Sequence, residues 1–317
     1  MAAEEATRDR PESIRAVPVR HPGRWVAIAV IAVLAAMFVH MLFTNDNFHW
    51  QFIFDNMFGG PIWRGVQTTV LLTVFSMLIG IALGIVIGVM RLSENPILRS
   101  AAWTYTWFFR AIPRYVLLIM AGNLGYFYPQ LRLGLPFSDQ IGNLLGIDVH
   151  GTIWSVNGNN FFAGFRAALL GLALSEAAYM AEIVRAGILS VDTGQTEAAQ
   201  SLGMGRALTM WRIVLPQAMR VIVPPTGNET IAMLKDTSLV IAVPVTNELF
   251  FQLEAIGHRT FLAVPMYIAA FLWYLMLSSV LMVGQYFLER RFSRGFGQRR
   301  GDGPEPALPG VGAGLAH

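Results

Sequence analysis

No cysteine occurs among the 317 residues. A disulfide framework, a thiolate zinc site and a cysteine nucleophile are therefore excluded. Lysine is almost as scarce: of 23 basic residues only Lys235 is a lysine, and the rest are arginine. A phosphate-binding loop needs Gly-Lys-Ser/Thr, whereas Lys235 stands between Leu234 and Asp236. The chain does not bind ATP by that route. Charge of either sign is thin, at 14% of residues, against about 25% in soluble domains. Hydrophobic residues make up 54%, and the mean hydropathy is +0.50. The net charge of +3 is small, and the basic residues lie in clusters. That pattern fits membrane topology better than nucleic-acid binding. His40, His49, His150 and His258 are scattered without metal-like spacing, and no nucleophile-with-base pattern stands out. The reading therefore assigns no catalytic residue, no metal and no cofactor to this chain.

What the chain does have is long uncharged runs. Residues 1–24 are polar, carry Arg8, Arg10, Arg15, Arg20 and Arg24, and read as a disordered cytoplasmic tail. Residues 25–43 form an uncharged stretch of 19 residues, close to the roughly 20 that span a bilayer. A cleaved signal peptide is the rival. The run is long for such a segment and no small-x-small site follows it, which favours a retained helix. Val66–Met90 is the clearest span, with Gly80, Gly84 and Gly88 on one face. Small residues at that spacing let helix backbones approach closely. Further spans are expected over 101–128, interrupted by Arg110, Pro113 and Arg114, and over 167–189, 221–251 and 261–288. Between them, residues 129–162 read as an external loop and 190–220 as a polar segment. The tail over 294–317 is Gly/Pro-rich and reads as disordered. The short segments holding Arg91 and Arg99, then Arg206, Arg212 and Arg220, then the tail cluster alternate with outside loops poorer in arginine, among them those holding Arg132 and Arg259. Arginine bias thus puts both termini and the 190–220 segment in the cytoplasm. The expected class is an all-α integral membrane protein of six transmembrane helices.

The 190–220 segment carries the most specific pattern. Asp192 or Thr193 offers an N-cap. Ala198, Ala199 and Leu202 give a short apolar stripe at helical spacing, Gly203 breaks the helix, and Arg206–Ile213 can form a second short helix that Pro216 bounds. A helix–Gly–helix hairpin with an exposed apolar face suits docking into a partner's groove.

Glu197-Ala198-Ala199, three residues, Gly203, nine residues, then Ile213-Val214-Leu215-Pro216 resembles the cytoplasmic loop of ABC importer permeases. Ala181–Ile188, Leu215-Pro216-Gln217-Ala218, Pro224-Pro225, Asn228-Glu229, Leu234–Leu239 and Phe109-Arg110-Ala111-Ile112-Pro113 narrow the resemblance to the polar amino-acid uptake permeases of the histidine/glutamine/glutamate type. It covers about 61–293, implying a type I importer permease core of five helices, with the helix over 25–43 as an N-terminal extra. The resemblance further implies a second permease subunit and a cytoplasmic ATPase dimer that binds the ATP. It also implies an external amino-acid-binding protein. Glu197, Ala198, Ala199, Gly203, Leu215 and Pro216 would then form the ATPase coupling loop. The sequence departs from the family's pattern in its longer external loop, in Ile112-Pro113-Arg114, and in Glu176, where the family often has a neutral residue.

Ionisable groups inside spans are costly and usually face the bundle interior or a wet cavity. Arg110, Arg114, Glu176, Glu182, Arg185, Glu229, Lys235 and Asp236 are such groups. Glu182 and Arg185, at i and i+3, can pair on one helix face as a structural tie. Lys235 and Asp236 are adjacent and diverge, so each needs another partner, with Glu176 or Arg110 as candidates. Arg110, Glu176, Asn228, Glu229, Lys235 and Asp236 are the candidate translocation-pathway residues. Glu176 could meet a substrate ammonium, and Arg110 or a helix broken at Pro224-Pro225 could meet its carboxylate. The other possibility is that these charges only hold helices together. Thr226 or Asn228 could satisfy the backbone groups freed by the two prolines, and Asn228-Glu229 could serve as a gate or hinge. An ion-coupled secondary transporter of amino acids is the alternative. It would show internal repeats, none is clear here, and it leaves the hairpin unexplained.

Overall fold

The computed structural model describes residues 22–134, 152–243 and 245–292, together with positions 143 and 146. The tails expected over 1–24 and 294–317 lie outside the described residues apart from Pro22–Arg24. So does most of the middle of the 129–162 loop. The chain divides into two compact units, 1–52 and 53–317.

In the first unit, α1 (Pro22–Thr44) is apolar on every face, as a lipid-facing helix is. A short 3-10 turn (Asp46–Phe48) follows, capped by the Asn45 side chain. Trp50 closes the unit: its indole N–H donates to the Leu42 carbonyl at 2.8 Å, and its ring stacks on Phe48 at 5.5 Å.

The second unit is built around two long helices, α3 (Gly60–Arg91) and α7 (Gly164–Leu189); α2 (Trp50–Asn56) leads into it. The buried side of α3 carries a run of small or polar residues, Thr69, Thr73, Ser76, Gly80, Gly84 and Gly88, beside Ile62, Val66, Leu72, Met77 and Ile87. Its exposed side is bulky and apolar, including Val70, Val74, Phe75, Leu78, Val86 and Val89. Large side chains facing outward are what a bilayer favours, because lipid solvates them, and the small residues let the helix backbones approach closely. The expected glycine seam is present, and its partner is α7. A Cβ on Gly84 would fall 2.4 Å from the Met180 Cβ and 3.1 Å from the Ala177 carbonyl. One on Gly80 would strike the Glu176 side chain at 2.6 Å.

Around this pair lie α4 (Pro96–Ala111), α5 (Arg114–Phe127), α10 (Leu215–Asp236), α11 (Leu249–Thr260) and α12 (Ala263–Phe292). The run expected over 101–128 is two helices. Ile112 and Pro113 are extended between them, because proline disfavours helical geometry in the residue before it and lacks its own N–H. The run expected over 221–251 also needs correction. Helix α10 starts earlier and ends at Asp236, a 3-10 turn (Thr237–Ala242) follows, and α11 starts afresh at Leu249. Glu248 caps α11, accepting from the Phe250 and Phe251 N–H groups at 2.7 and 3.2 Å. Its other oxygen accepts from the Thr69 and Tyr274 hydroxyls, both at 2.7 Å. One buried carboxylate thus ties α3, α11 and α12 together.

Among the described residues four helices are long and apolar enough to cross a membrane: Pro22–Thr44, Gly60–Arg91, Gly164–Leu189 and Ala263–Phe292. The all-α expectation fails in one place. In the 129–162 loop, β1 (Gln130–Gly134) pairs antiparallel with β2 (Thr152–Asn157), in the register Leu131↔Val156 and Leu133↔Trp154. A short helix, α6 (Gly158–Phe161), then turns the chain into α7.

Candidate functional site

The break at Ile112-Pro113 puts Arg114 at the first position of α5, and there it gathers acids from two other helices. Its Nη1 donates to Asp236 Oδ2 at 2.5 Å. Its Nη2 donates to Glu176 Oε2 at 2.9 Å and reaches Glu229 Oε2 at 3.5 Å. Glu229 and Asp236 lie two turns apart on α10, so both face the same way. Tyr179, one turn beyond Glu176 on α7, lies under the guanidinium, 4.7 Å from its ring centroid, a cation–π contact. Three carboxylates around one guanidinium leave a formal excess of negative charge. Glu176 is fully buried, and its second oxygen, Oε1, has no hydrogen-bond partner. A buried acceptor left in that state calls for an explanation, since such groups are nearly always paired.

The candidate pathway residues divide on this geometry. Glu176, Glu229 and Asp236 come together. Arg110 makes no ion pair with them: it is exposed, its guanidinium 5.5 Å from the centroid of the same Tyr179 ring, and the role of central cation falls to Arg114, one helix break away. Lys235 is exposed and makes no ion pair among the described residues. The expectation that Glu176 or Arg110 would partner Lys235 and Asp236 is corrected accordingly, since Arg114 partners Asp236. Asn228 is exposed and accepts from the Gln285 amide at 2.9 Å. The helix expected to break at Pro224-Pro225 runs through them unbroken. The carbonyls those prolines leave free are four residues back, at Arg220 and Val221. The Thr226 hydroxyl instead donates to the Ile222 carbonyl at 2.8 Å. Glu182 and Arg185 pair as expected, the Arg185 Nε donating to Glu182 Oε1 at 3.1 Å. Below the Arg114 cluster a cavity of about 340 Å³ is lined by Arg110, Tyr179, Glu182, Pro225 and Glu229.

The 190–220 hairpin is largely as read. Asp192 caps α8 (Thr193–Ser201), its side chain accepting from the Gly194 N–H at 2.8 Å. Gly203 ends it at φ +80°. The Gly203 N–H donates to the Gln200 carbonyl at 2.9 Å and the Met204 N–H to the Ala199 carbonyl at 3.1 Å. Both bonds of a left-handed C-terminal cap are thus present. Two details differ. Helix α9 (Arg206–Thr209) runs through a π turn (Met210–Val214) straight into α10, so Pro216 does not bound it. The wider turn accommodates the missing Pro216 N–H: the Leu215 N–H reaches back five residues to the Met210 carbonyl. The apolar stripe is also divided, for Ala199 is buried while Ala198 and Leu202 are exposed. With Trp211, which is 71% exposed, Leu202 at 84% gives the hairpin an apolar tip. Glu197 is exposed beside it.

Sequence reasoning missed three residues. Arg114 reads from the sequence as one membrane charge among several and not as the centre of a cluster, although its place directly after a helix-breaking proline is a usable signal. Tyr179 gave no signal of its own, nor did the tie from Glu248 to Thr69 and Tyr274, because these contacts depend on neighbours far away in sequence.

Residues 80–294 match the family described as binding-protein-dependent transport system inner membrane component. The arginine transport system permease protein ArgU of Corynebacterium glutamicum is 44% identical over 92% of this chain and 86% of its own length. The L-cystine transport system permease protein TcyB of Bacillus subtilis is 31% identical over 73% of this chain and 86% of its own. A crystal structure of an amino acid ABC transporter with histidines superposes with a TM-score of 0.57, at 29% identity, over 73% of this chain and 94% of that one.

Proposed function

We infer, from the premise that the chain belongs to the binding-protein-dependent transport system inner membrane components, how its parts divide the work of an amino-acid ABC importer permease subunit. Membership implies an ATPase partner, a solute-binding protein and a membrane, and leaves the ion-coupled carrier reading without support. The permease component is not itself an enzyme, and ATP binding and hydrolysis are assigned to the partner.

The Arg114 cluster is the proposed station on the translocation pathway, and its substrate is a cationic amino acid of the arginine type. The observation that carries this is Glu176: a fully buried carboxylate with one oxygen unpartnered, in a cluster with more acid than base. Such a site lacks a donor, and a guanidinium or ammonium supplies it. The Corynebacterium relative's name, an arginine transport system permease, supports the same class. A neutral or acidic amino acid would leave the excess charge unmet.

The remaining assignments follow from the hairpin and the helix lengths. The chain crosses the membrane six times, through α1, α3, a kinked α4–α5 pair, α7, α10 and α12, with α1 as the extra N-terminal helix. Both termini are cytoplasmic. Leu202, Trp211 and Glu197 on the 190–220 hairpin meet one subunit of the ATPase dimer, and a second permease subunit completes the pathway. The inner membrane, or the cell membrane of a single-membrane cell, is the location.

The test is reconstitution of this chain with its ATPase and binding protein in vesicles, measuring ATP-dependent uptake of labelled arginine, lysine, glutamine and glutamate. Arginine and lysine uptake that falls at least about tenfold with Glu229→Gln supports the reading; a loss of about 1.4 kcal/mol of interaction is enough for that factor. Uptake of glutamate in preference to arginine overturns it.

A further inference from the structure

Where α3 ends, α4 begins and α7 ends, a second polar site is formed that the transport reading does not use. A cavity of about 500 Å³ is lined by Arg91, Ser93, Arg99, Ser100, Trp103 and Arg185. Arg91 is the last residue of α3 and follows the uncharged run directly. Helix α3 has 32 residues, about 48 Å of length against about 30 Å of hydrocarbon, so its last turn stands at headgroup level. Glu182 is engaged by Arg185 and lies 3.7 Å from Arg91. Arg99 makes no ion pair among the described residues. Three guanidinium groups therefore face one carboxylate. The Arg91 side chain is only 17% exposed, and its ion-pair partner Glu182 is shared with Arg185, so its charge is only partly matched and an added anion would lower the cost of holding it there.

The cavity also has an apolar side. Trp103 at its edge and Trp107 one turn along α4 are stacked 6.2 Å apart and more than half exposed. Leu189, at the end of α7, lines the cavity and is 59% exposed. Indole rings of this kind settle at the membrane interface with their flat faces beside acyl chains. A site that is cationic and hydroxyl-bearing at one end and aromatic and aliphatic at the other fits an amphiphile better than a soluble anion.

We propose that this cavity is a binding site for the headgroup of an anionic phospholipid, its phosphate held by Arg91, Arg99 and Arg185 and its chains lying along Trp103 and Trp107. Basic pockets between membrane helices on the cytoplasmic side recognise such headgroups through these contacts. The orientation given above is needed only to name the leaflet as the cytoplasmic one.

The experiment is to take the full chain from vesicles of equal parts phosphatidylcholine and phosphatidylglycerol into mild detergent and count retained lipids by native mass spectrometry. Circular dichroism and ATPase co-purification are measured on the same samples. The expected result is retention of phosphatidylglycerol over phosphatidylcholine. Arg99→Gln should lower it about fivefold, and the Arg91→Gln/Arg99→Gln pair about twenty-five-fold, the factors for one and two basic residues at an anionic surface. Arg259→Gln, far along the sequence and outside the cavity, should not change it. Circular dichroism must stay at the wild-type level, and Arg99, being exposed, gives a variant whose fold does not depend on the site. Equal retention of the two lipids, or no loss in the double variant, overturns the proposal. Displacement of the lipid by millimolar inorganic phosphate overturns the lipid as the source and makes the site one for soluble phosphate. Loss of ATPase co-purification with lipid retention intact overturns it in favour of a protein partner. Because retention is read without transport, a failed uptake assay leaves this result interpretable.

Discussion

Arg114 and Glu176 stand 62 residues apart in the chain and 2.9 Å apart in space. The guanidinium opens α5 after a proline break, and the carboxylate sits near the middle of α7. No other cation is hydrogen-bonded to Glu176 among the described residues, so the pair can be tested by removing one side.

Arg114→Gln should lower stability by about 3–5 kcal/mol, the cost of leaving a buried charge without its partner. Thermal unfolding in detergent measures it. The double variant Arg114→Gln/Glu176→Gln should recover part of that stability, since the fully buried acid is gone while Glu229 and Asp236 still lack their cation, and uptake should stay lost. Recovery of uptake in the double variant would show that the cluster is a structural tie and no more.

Gly84→Leu should separate α3 from α7. The added Cβ alone meets the Met180 Cβ at 2.4 Å and the Ala177 carbonyl at 3.1 Å, and backbone on that side cannot yield. A loss of about 1–3 kcal/mol or more is expected. Gly284→Leu, where a Cβ meets nothing within 4 Å, is the control. Equal unfolding temperatures for the two variants would count against the seam.

At Gly203 the constraint is conformation, not space. Nothing lies within 4 Å of a Cβ there, but φ is +80°. Gly203→Val should therefore unseat the end of α8 at a cost of about 1–2 kcal/mol, and Gly203→Asn should cost less because asparagine tolerates that region. The readout is ATP hydrolysis stimulated by the loaded binding protein, with membrane insertion followed separately. Valine and asparagine variants that couple equally well would remove the cap from the argument.

Glu248→Ala should destabilise the bundle more than Glu248→Gln. Alanine leaves the Thr69 and Tyr274 hydroxyls and two helix N–H groups without their acceptor, each buried loss costing about 1–3 kcal/mol. Glutamine keeps one oxygen for the N–H groups and turns its amide toward the hydroxyls, which can accept. Chemical unfolding of the two variants gives the order, and a reversed order would contradict the acceptor role.

Glu197→Lys should leave the protein in the membrane and stop transport, because Glu197 is exposed at the hairpin and touches no other described helix through its carboxylate. Co-purification with the ATPase tests this directly. Normal uptake with the lysine in place would sink the docking role.

The membrane class, the long apolar runs, the glycine seam and the hairpin with its Asp192 and Gly203 caps were legible in the sequence. Each depends on local rules: the length of an uncharged run, the spacing of small residues on one helix, or the backbone angle a glycine permits. The Glu182–Arg185 pair was legible for the same reason, since one turn of helix decides it. The tertiary structure alone decided which charges meet. Arg114 was chosen over Arg110 by a break of two residues that re-aims the helix, and its three acids come from α7 and α10. Glu248 takes two donors from the helix it caps, but it gained the Thr69 and Tyr274 hydroxyls only when α3 and α12 packed against it. Helix periodicity is set by neighbours along the chain. A buried charge is set by whichever distant group can cancel it, and that depends on how the helices pack.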